Sequence, residues 1–368
     1  MDDEFYMNRA LEIARRGRFT TTPNPNVGCV IVLNGTIVGE GYHYCAGEPH
    51  AEIYALQMAG EKAKTATVYV TLEPCNHHGR TPPCCEALIS AGVHRVVIAM
   101  QDPNPLVVGR GFAKLKAAGI EVDHGLMELE AERLNKGFLK RMRTGLPFLQ
   151  LKLAASLDGR TAMANGESKW ITSLAARLDV QLWRAQSSAI LSSSATVLID
   201  NPALTVRWNE LDSETKNIYP LQRLRQPVRI IIDSKNRIKS HHRLMLESGK
   251  ILLVRKYVTM QNFPQKVEQI IIPGNGEYID LKRMMYIFGK KQINTIWVEA
   301  GAKLSGALLQ SGIVDEFILY IAPKILGNHA RNLCDLPDLN QLSHIIRFDL
   351  KEIYKVGPDL RLHLIPKN

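Results

Sequence analysis

Apolar positions recur along this chain in two periods, and the switches between them outline its elements. Phe5, Ala10, Leu11, Ile13 and Ala14 share one helical face within residues 4–16. The stretch "VGCVIVLNGTIVGEGY" then sets two β-rich runs around Asn34-Gly35, a dipeptide suited to a tight hairpin. A helix is expected over 50–60, followed by a strand at "ATVYVTL", a cysteine-rich loop and a helix at "CCEALISAG". Strand "RVVIAM", helix "GFAKLKAAG", strand "IEVDHG" and one helix over "LEAERLNKGFLKRM" continue the series. A hairpin followed by such alternation predicts a largely parallel sheet covered on both faces.

The pattern resets at "MRTGLPFLQ", where a basic helix end meets Gly145 and Pro147, so two α/β domains are expected, 1–145 and 146–368. A chain of 368 residues is in any case long for one core. The second half opens on strand "FLQLKLAAS" and later shows strands "PVRIIID", "KILLV", "NTIWVEA" and "EFILYIAP", with a helix after Gly301. Residues 208–226 and 256–266 read as surface loops.

Composition narrows the class. Hydrophobic content of 45% with scattered charge is that of a globular protein. No apolar run approaches the ~18 residues of a membrane span, and "MDDEFYMNRALEI" does not read as a secretory signal. Cys75, Cys84 and Cys85 crowd into one segment, which points to a metal before disulfides and to the cytoplasm as compartment. The net charge of +10 invites a nucleic-acid reading, but residues 1–145 hold 16 Lys+Arg against 16 Asp+Glu. The whole excess, 30 against 20, lies in 146–368, away from the candidate metal site. No nucleic-acid partner is therefore expected.

A catalytic zinc keeps three protein ligands and one open position. His50, Cys75 and Cys84 offer one nitrogen and two sulfurs, and Glu52, two residues after His50 near a helix start, suits a proton carrier. H-x-E followed by P-C and a later cysteine is the zinc deaminase pattern, with the cysteines spread here by "NHHGRTPP". Cys85 competes with Cys84, since adjacent helical residues point about 100° apart and only one faces the metal. A closed structural site using His77 or His78 is the alternative.

"TPNPNVGCVIV", "GEPHAE", "TLEPCNHHGRTPPC" and "DPNPLVVGRG" together resemble the deaminase domain of the bifunctional riboflavin-biosynthesis deaminase/reductase family. The resemblance covers nearly all of 1–145 and includes the long cysteine insert; Asn76 stands where serine is more usual. It implies a cytidine-deaminase-like α/β/α domain in which His50, Cys75 and Cys84 bind zinc and Glu52 shuttles protons. Asn24, His77 and Arg80 are expected to contact the pyrimidine, ribose or phosphate, or otherwise to face solvent.

"LKLAASLDGRTAMANGESKWIT", "SSATVLIDNPALTVR", "IIDS" and "WVEAGAKLSGALL" resemble the family's reductase domain, which implies a dihydrofolate-reductase-like α/β fold and NADPH. On that resemblance Ala154, Trp170, Thr196, Asp200, Ser234 and the run Gly301, Ala302, Lys303, Leu304, Ser305, Gly306 and Ala307 line the cofactor site. Ser168, Arg184, Leu204, Arg207 and Glu299 meet the substrate, the two arginines suiting a phosphomonoester. The implied activity is hydrolytic deamination of a diaminopyrimidinone ribosylamino 5′-phosphate, then reduction of its ribosyl chain to ribityl, in a homo-oligomer. A nucleoside or tRNA deaminase fused to an unrelated reductase is the other reading; the neutral first half and the insert count against it.

Overall fold

Asn34 and Gly35 take positive φ angles of 51° and 76°, closing the turn between β1 (Gly28–Leu33) and β2 (Thr36–Tyr42). The computed structural model describes residues 2–76, 83–104, 108–274, 276, 278–337 and 341–367. The chain divides into two compact units, Met1–Gly145 and Leu146–Asn368.

In the first unit, α1 (Asp3–Ala14) precedes the hairpin. α2 (Ala51–Ala59), β3 (Thr67–Leu72), α3 (Cys84–Ser90), β4 (Arg95–Met100), α4 (Arg110–Ala117) and β5 (Glu121–His124) follow in turn. The sheet order is β2-β1-β3-β4-β5, with β1 antiparallel to both neighbours and β3, β4 and β5 parallel. β1, β3 and β4 are nearly continuous apolar runs because both faces are covered, with Val30, Ile31, Val68, Val70 and Ile98 fully buried. The single helix expected over 129–142 is two: α5 (Glu128–Leu134) and α6 (Lys136–Thr144). Asn135 leaves helical geometry between them (φ −119°, ψ 17°), and its side chain bonds both the N–H and the C=O of Asn26, at 2.7 and 3.0 Å. A long-range tie thus overrides local periodicity.

The second unit comprises β6 (Phe148–Ser156), β7 (Arg160–Ala162), α7 (Leu174–Gln186), β8 (Ala189–Ser193), α8 (Ser194–Asp200), α9 (Ser213–Ile218) and β9 (Val228–Ile232). α10 (Arg243–Leu246), β10 (Ile251–Arg255), β11 (Val267–Ile271), α11 (Leu281–Lys290), β12 (Thr295–Glu299) and α12 (Ala302–Gln310) come next. β13 (Glu316–Ala322), β14 (Arg331–Asn332), β15 (Phe348–Val356) and β16 (Asp359–Pro366) complete it. Nine strands form one sheet, β11-β10-β9-β8-β12-β6-β13-β16-β15, parallel except for the antiparallel pairings of β16. The region 208–226, expected as loop, contains α9, whose N-cap Asp212 accepts from Thr215 N at 2.7 Å. β11, α11 and the β15–β16 hairpin lie where the sequence pattern alone named no element. Among the described residues no helix is long and apolar enough to cross a membrane.

Candidate active sites

In the first unit the β3–α3 connection and the start of α2 bring three donor atoms together. His50 is the extended N-cap of α2 (φ −76°, ψ 165°), and Cys84 opens α3 behind Pro83. His50 Nδ1 lies 3.6 Å from Cys75 Sγ and 3.3 Å from Cys84 Sγ. The three ligand atoms all lie within 4.8 Å of one another. A tetrahedral zinc with bonds of about 2.3 Å to sulfur and 2.05 Å to nitrogen needs N···S edges of about 3.6 Å. The donor set and its spacing therefore fit zinc, with the two thiols and one imidazole converging on one point. Cys85 is turned the other way: its Sγ donates to Pro74 O at 3.2 Å in the core.

The loop carrying Cys75 is fixed by its neighbours. The buried Glu73 carboxylate accepts from Asp102 N (3.2 Å), Gly109 N (3.1 Å) and Gly111 N (2.9 Å). Gly111 sits so close that an added Cβ would stand 2.4 Å from Pro74 O. These contacts account for the glycines of the "DPNPLVVGRG" motif, which hold the loop preceding Cys75. Cys84 N donates to Cys75 Sγ at 3.3 Å and Cys85 N to Cys75 O at 3.1 Å.

Protonation follows the same geometry. The Cys75 thiol is held well below its ordinary value, first by hydrogen bonding from Cys84, with burial opposing and His50 assisting. Cys84 is correspondingly pushed up, by Cys75 and by burial. His50 rises to about 9, chiefly through its contact with Cys75. Burial pushes the Glu52 carboxyl up, against the pull of His50. Glu52 is 3% exposed, in the first turn of α2 and beside Cys84.

His43, which no motif singles out, is 2% exposed and packs edge-on against His50, ring centroids 5.4 Å apart. Its Nδ1–H donates to Pro49 O at 3.0 Å, and burial keeps the ring neutral. The bare Nε2 then accepts from Asn24 Nδ2 at 3.0 Å. His77 and Arg80 lie outside the described residues.

The second unit holds a cavity of about 1110 Å³ at the carboxyl ends of β8, β9 and β12, the usual ligand position in an open α/β sheet. Ala154, Trp170, Thr196, Asp200 and Ser234 line it, as do Ser168, Arg184, Leu204, Arg207 and Glu299. From the 301–307 run, Gly301, Ala302, Lys303, Leu304 and Ala307 face it. Ser305 and Gly306 do not. Ser305 is fully buried, and a Cβ at Gly306 would stand 1.9 Å from Asp335 O, because a helix turns about 100° per residue and carries these two to its packed side.

Arg184 is not a free phosphate fork. Its Nε and Nη2 bind the two oxygens of Glu299 at 2.6 and 2.8 Å, and Nη1 donates to Thr205 O at 2.9 Å. Burial disfavours the Glu299 charge, yet Arg184 prevails and holds the carboxyl near 2. Trp297 Nε1 adds a hydrogen bond of 2.9 Å. Arg207 is half exposed and pairs with Glu210 at 2.7 Å. Lys152, beside Glu299 in the β6–β12 register, also lines the cavity; burial lowers its pKa while Glu299 favours its charge. A lysine inside the apolar strand "FLQLKLAAS" is the signal that could have found it.

Known proteins match along the whole length. Residues 1–100 match the family model of the cytidine and deoxycytidylate deaminase zinc-binding region, and residues 147–362 that of the RibD C-terminal domain. The riboflavin biosynthesis protein RibD of Escherichia coli (strain K12) is 65% identical over 99% of this chain and 100% of its own. The solved structure of Acinetobacter baumannii RibD (form 1) is 45% identical, with a TM-score of 0.91 over 100% of this chain and 99% of its own. A Thermotoga maritima diaminohydroxyphosphoribosylaminopyrimidine deaminase/5-amino-6-(5-phosphoribosylamino)uracil reductase is 33% identical, with a TM-score of 0.87 over 99% of each chain.

Proposed function

The chain belongs to the RibD family of riboflavin-biosynthesis proteins, and on that footing we propose how its residues divide the two activities. The protein is a bifunctional enzyme, a zinc-dependent pyrimidine deaminase and an NADPH-dependent reductase. It deaminates 2,5-diamino-6-ribosylamino-4(3H)-pyrimidinone 5′-phosphate and reduces the ribosyl side chain to give 5-amino-6-ribitylaminouracil 5′-phosphate. Deamination is assigned to residues 1–145 and reduction to 146–368.

The converging triangle of His50, Cys75 and Cys84, with Glu52 buried beside it, is the observation that carries the first assignment. These three residues hold the zinc, which when bound supplies the Lewis acidity that makes water nucleophilic near neutral pH. Glu52 takes the proton of the attacking water on its carboxylate and returns it to the departing amine. Its burial supports the role, because a raised carboxyl pKa brings proton uptake and release closer to neutrality. His43 holds Asn24 by its amide nitrogen, and the Asn24 carbonyl oxygen accepts from an N–H of the pyrimidine.

In the second unit NADPH supplies the hydride, and the residues bind and orient. Glu299, clamped by Arg184, accepts from sugar hydroxyls close to C1′. Arg207 at the cavity rim takes the substrate phosphate, exchanging Glu210 for it. Thr196, Asp200 and Ser234 stand on the cofactor side. A metal site built on two cysteine sulfurs that are in no disulfide supports a cytoplasmic location. Apolar Leu350, Ile353 and Leu360, exposed on the terminal hairpin, support a homo-oligomer. Incubating purified protein with the pyrimidinone phosphate, with and without NADPH, tests the division: ammonia and the deaminated product are expected without NADPH, the ribityl product only with it.

A further inference from the structure

Ile232 ends β9 at the cavity, and the next residue is acidic. In dinucleotide-binding α/β sheets a carboxylate in this kind of place takes the ribose 2′-OH and favours NAD, whereas an arginine nearby accommodates the 2′-phosphate of NADP. Here Asp233 is withdrawn. Its carboxylate is 0% exposed and accepts from Arg237 N at 2.8 Å and Ile238 N at 3.1 Å. It also pairs with the equally buried Arg255, whose Nη2 and Nε lie at 2.9 and 3.2 Å. Every one of these contacts draws the acid into the protein and none reaches the cavity.

The turn that hides Asp233 presents Ser234 and Arg237 instead, both of which line the cavity. Arg237 is exposed, and its Nη2 donates to Ser194 Oγ at 2.9 Å. Among the described residues no carboxylate pairs with it. Of the other arginines that line the cavity, Arg184 is answered by Glu299, Arg207 by Glu210 and Arg243 by Glu247 at 3.6 Å, while Arg177 lies over the Trp170 ring and Arg331 stands beside Gly166. Arg237 also stands at the correct end. Glu299 ends β12, β8 separates β12 from β9, and two strand spacings put about 10 Å between the sugar-binding pair and Ser234. Nicotinamide belongs beside the sugar, and the 2′-phosphate is on the opposite half of the cofactor.

We propose that Arg237, helped by the Ser234 hydroxyl, binds the 2′-phosphate of NADPH and sets the preference for NADPH over NADH. The buried ion pair with Arg255 keeps the carboxylate of Asp233 away from that phosphate. The proposal rests on reading this cavity as the NADPH site.

Dissociation constants of the full-length protein for NADPH, NADH and 2′,5′-ADP, measured by titration calorimetry, test it. Arg237→Ala is expected to weaken NADPH and 2′,5′-ADP about 10- to 100-fold, the range of a lost charged hydrogen bond, and to leave NADH within about twofold. Arg237→Lys should recover part of the loss, and Arg331→Ala, at another cavity cation, should leave the NADPH:NADH ratio unchanged. Equal weakening of both cofactors by Arg237→Ala, unchanged NADPH binding, or a ratio that moves with Arg331 instead would overturn the role of Arg237. A wild-type protein that binds NADPH at no concentration would overturn the cavity reading itself, and the proposal with it.

Discussion

Replacing Glu73 by glutamine tests whether the metal site depends on a residue that never touches the metal. The carboxylate accepts three backbone N–H groups, two on Oε2 and one on Oε1. An amide can keep its oxygen toward Asp102 and Gly109, but its NH2 then faces Gly111 N–H, donor against donor. A buried N–H left without a partner costs about 1–3 kcal/mol, and the weakening of two charge-assisted bonds adds to it. Gly111 seats against Pro74 O, so the strain passes to the residue next to Cys75. Lost outer-shell support of this kind typically costs about 10- to 100-fold in metal affinity. Competition with a chromogenic chelator should show zinc released at correspondingly lower chelator concentration, with ammonia release falling in parallel and reduction of the deaminated product unaffected. Wild-type zinc affinity in a Glu73→Gln protein that merely melts earlier would show that Glu73 serves stability alone.

Four further outcomes are expected. Glu52→Gln should retain stoichiometric zinc by metal analysis while deamination falls at least ~100-fold, the lower end of general acid–base contributions. Cys84→Ser should lower zinc content, whereas Cys85→Ser, altering a buried thiol bonded to Pro74 O, should leave zinc in place and cost about 1–2 kcal/mol of stability in a denaturant titration. Glu299 has its folded pKa depressed to about 2 from 4.5. It therefore contributes stability that is complete above pH 4.5 and lost as pH falls toward 2, and thermal melts of Glu299→Gln should lack that acid-side slope. Arg207→Ala should raise KM for the reduction about tenfold or more with deamination spared, read from separate assays of the two steps.

How much of this was legible in the chain varies by residue. His50, Glu52 and the Pro74-Cys75 pair lie close to the ends of regular elements, so spacing alone exposes them. Asn24, Thr196 and Arg207 emerge only through family motifs. Lys152 and His43 escape both, because each gains its meaning from a partner far away in sequence: Glu299 for one, Asn24 and Pro49 for the other. The same distance hides Arg237, which looks like any surface arginine until Arg255 is seen holding Asp233.

By itself the sequence determined the alternating α/β elements, the division of charge between halves, and the nitrogen–sulfur donor set, since these depend on residue types and short spacings. Only tertiary structure decided that Cys85 packs against Pro74 O, where the predicted helix breaks at Asn135, and that Arg184 is already committed to Glu299. Those outcomes are settled by contacts between residues up to 115 positions apart. Burial and hydrogen-bond satisfaction there outweigh any preference that a local stretch of chain can express.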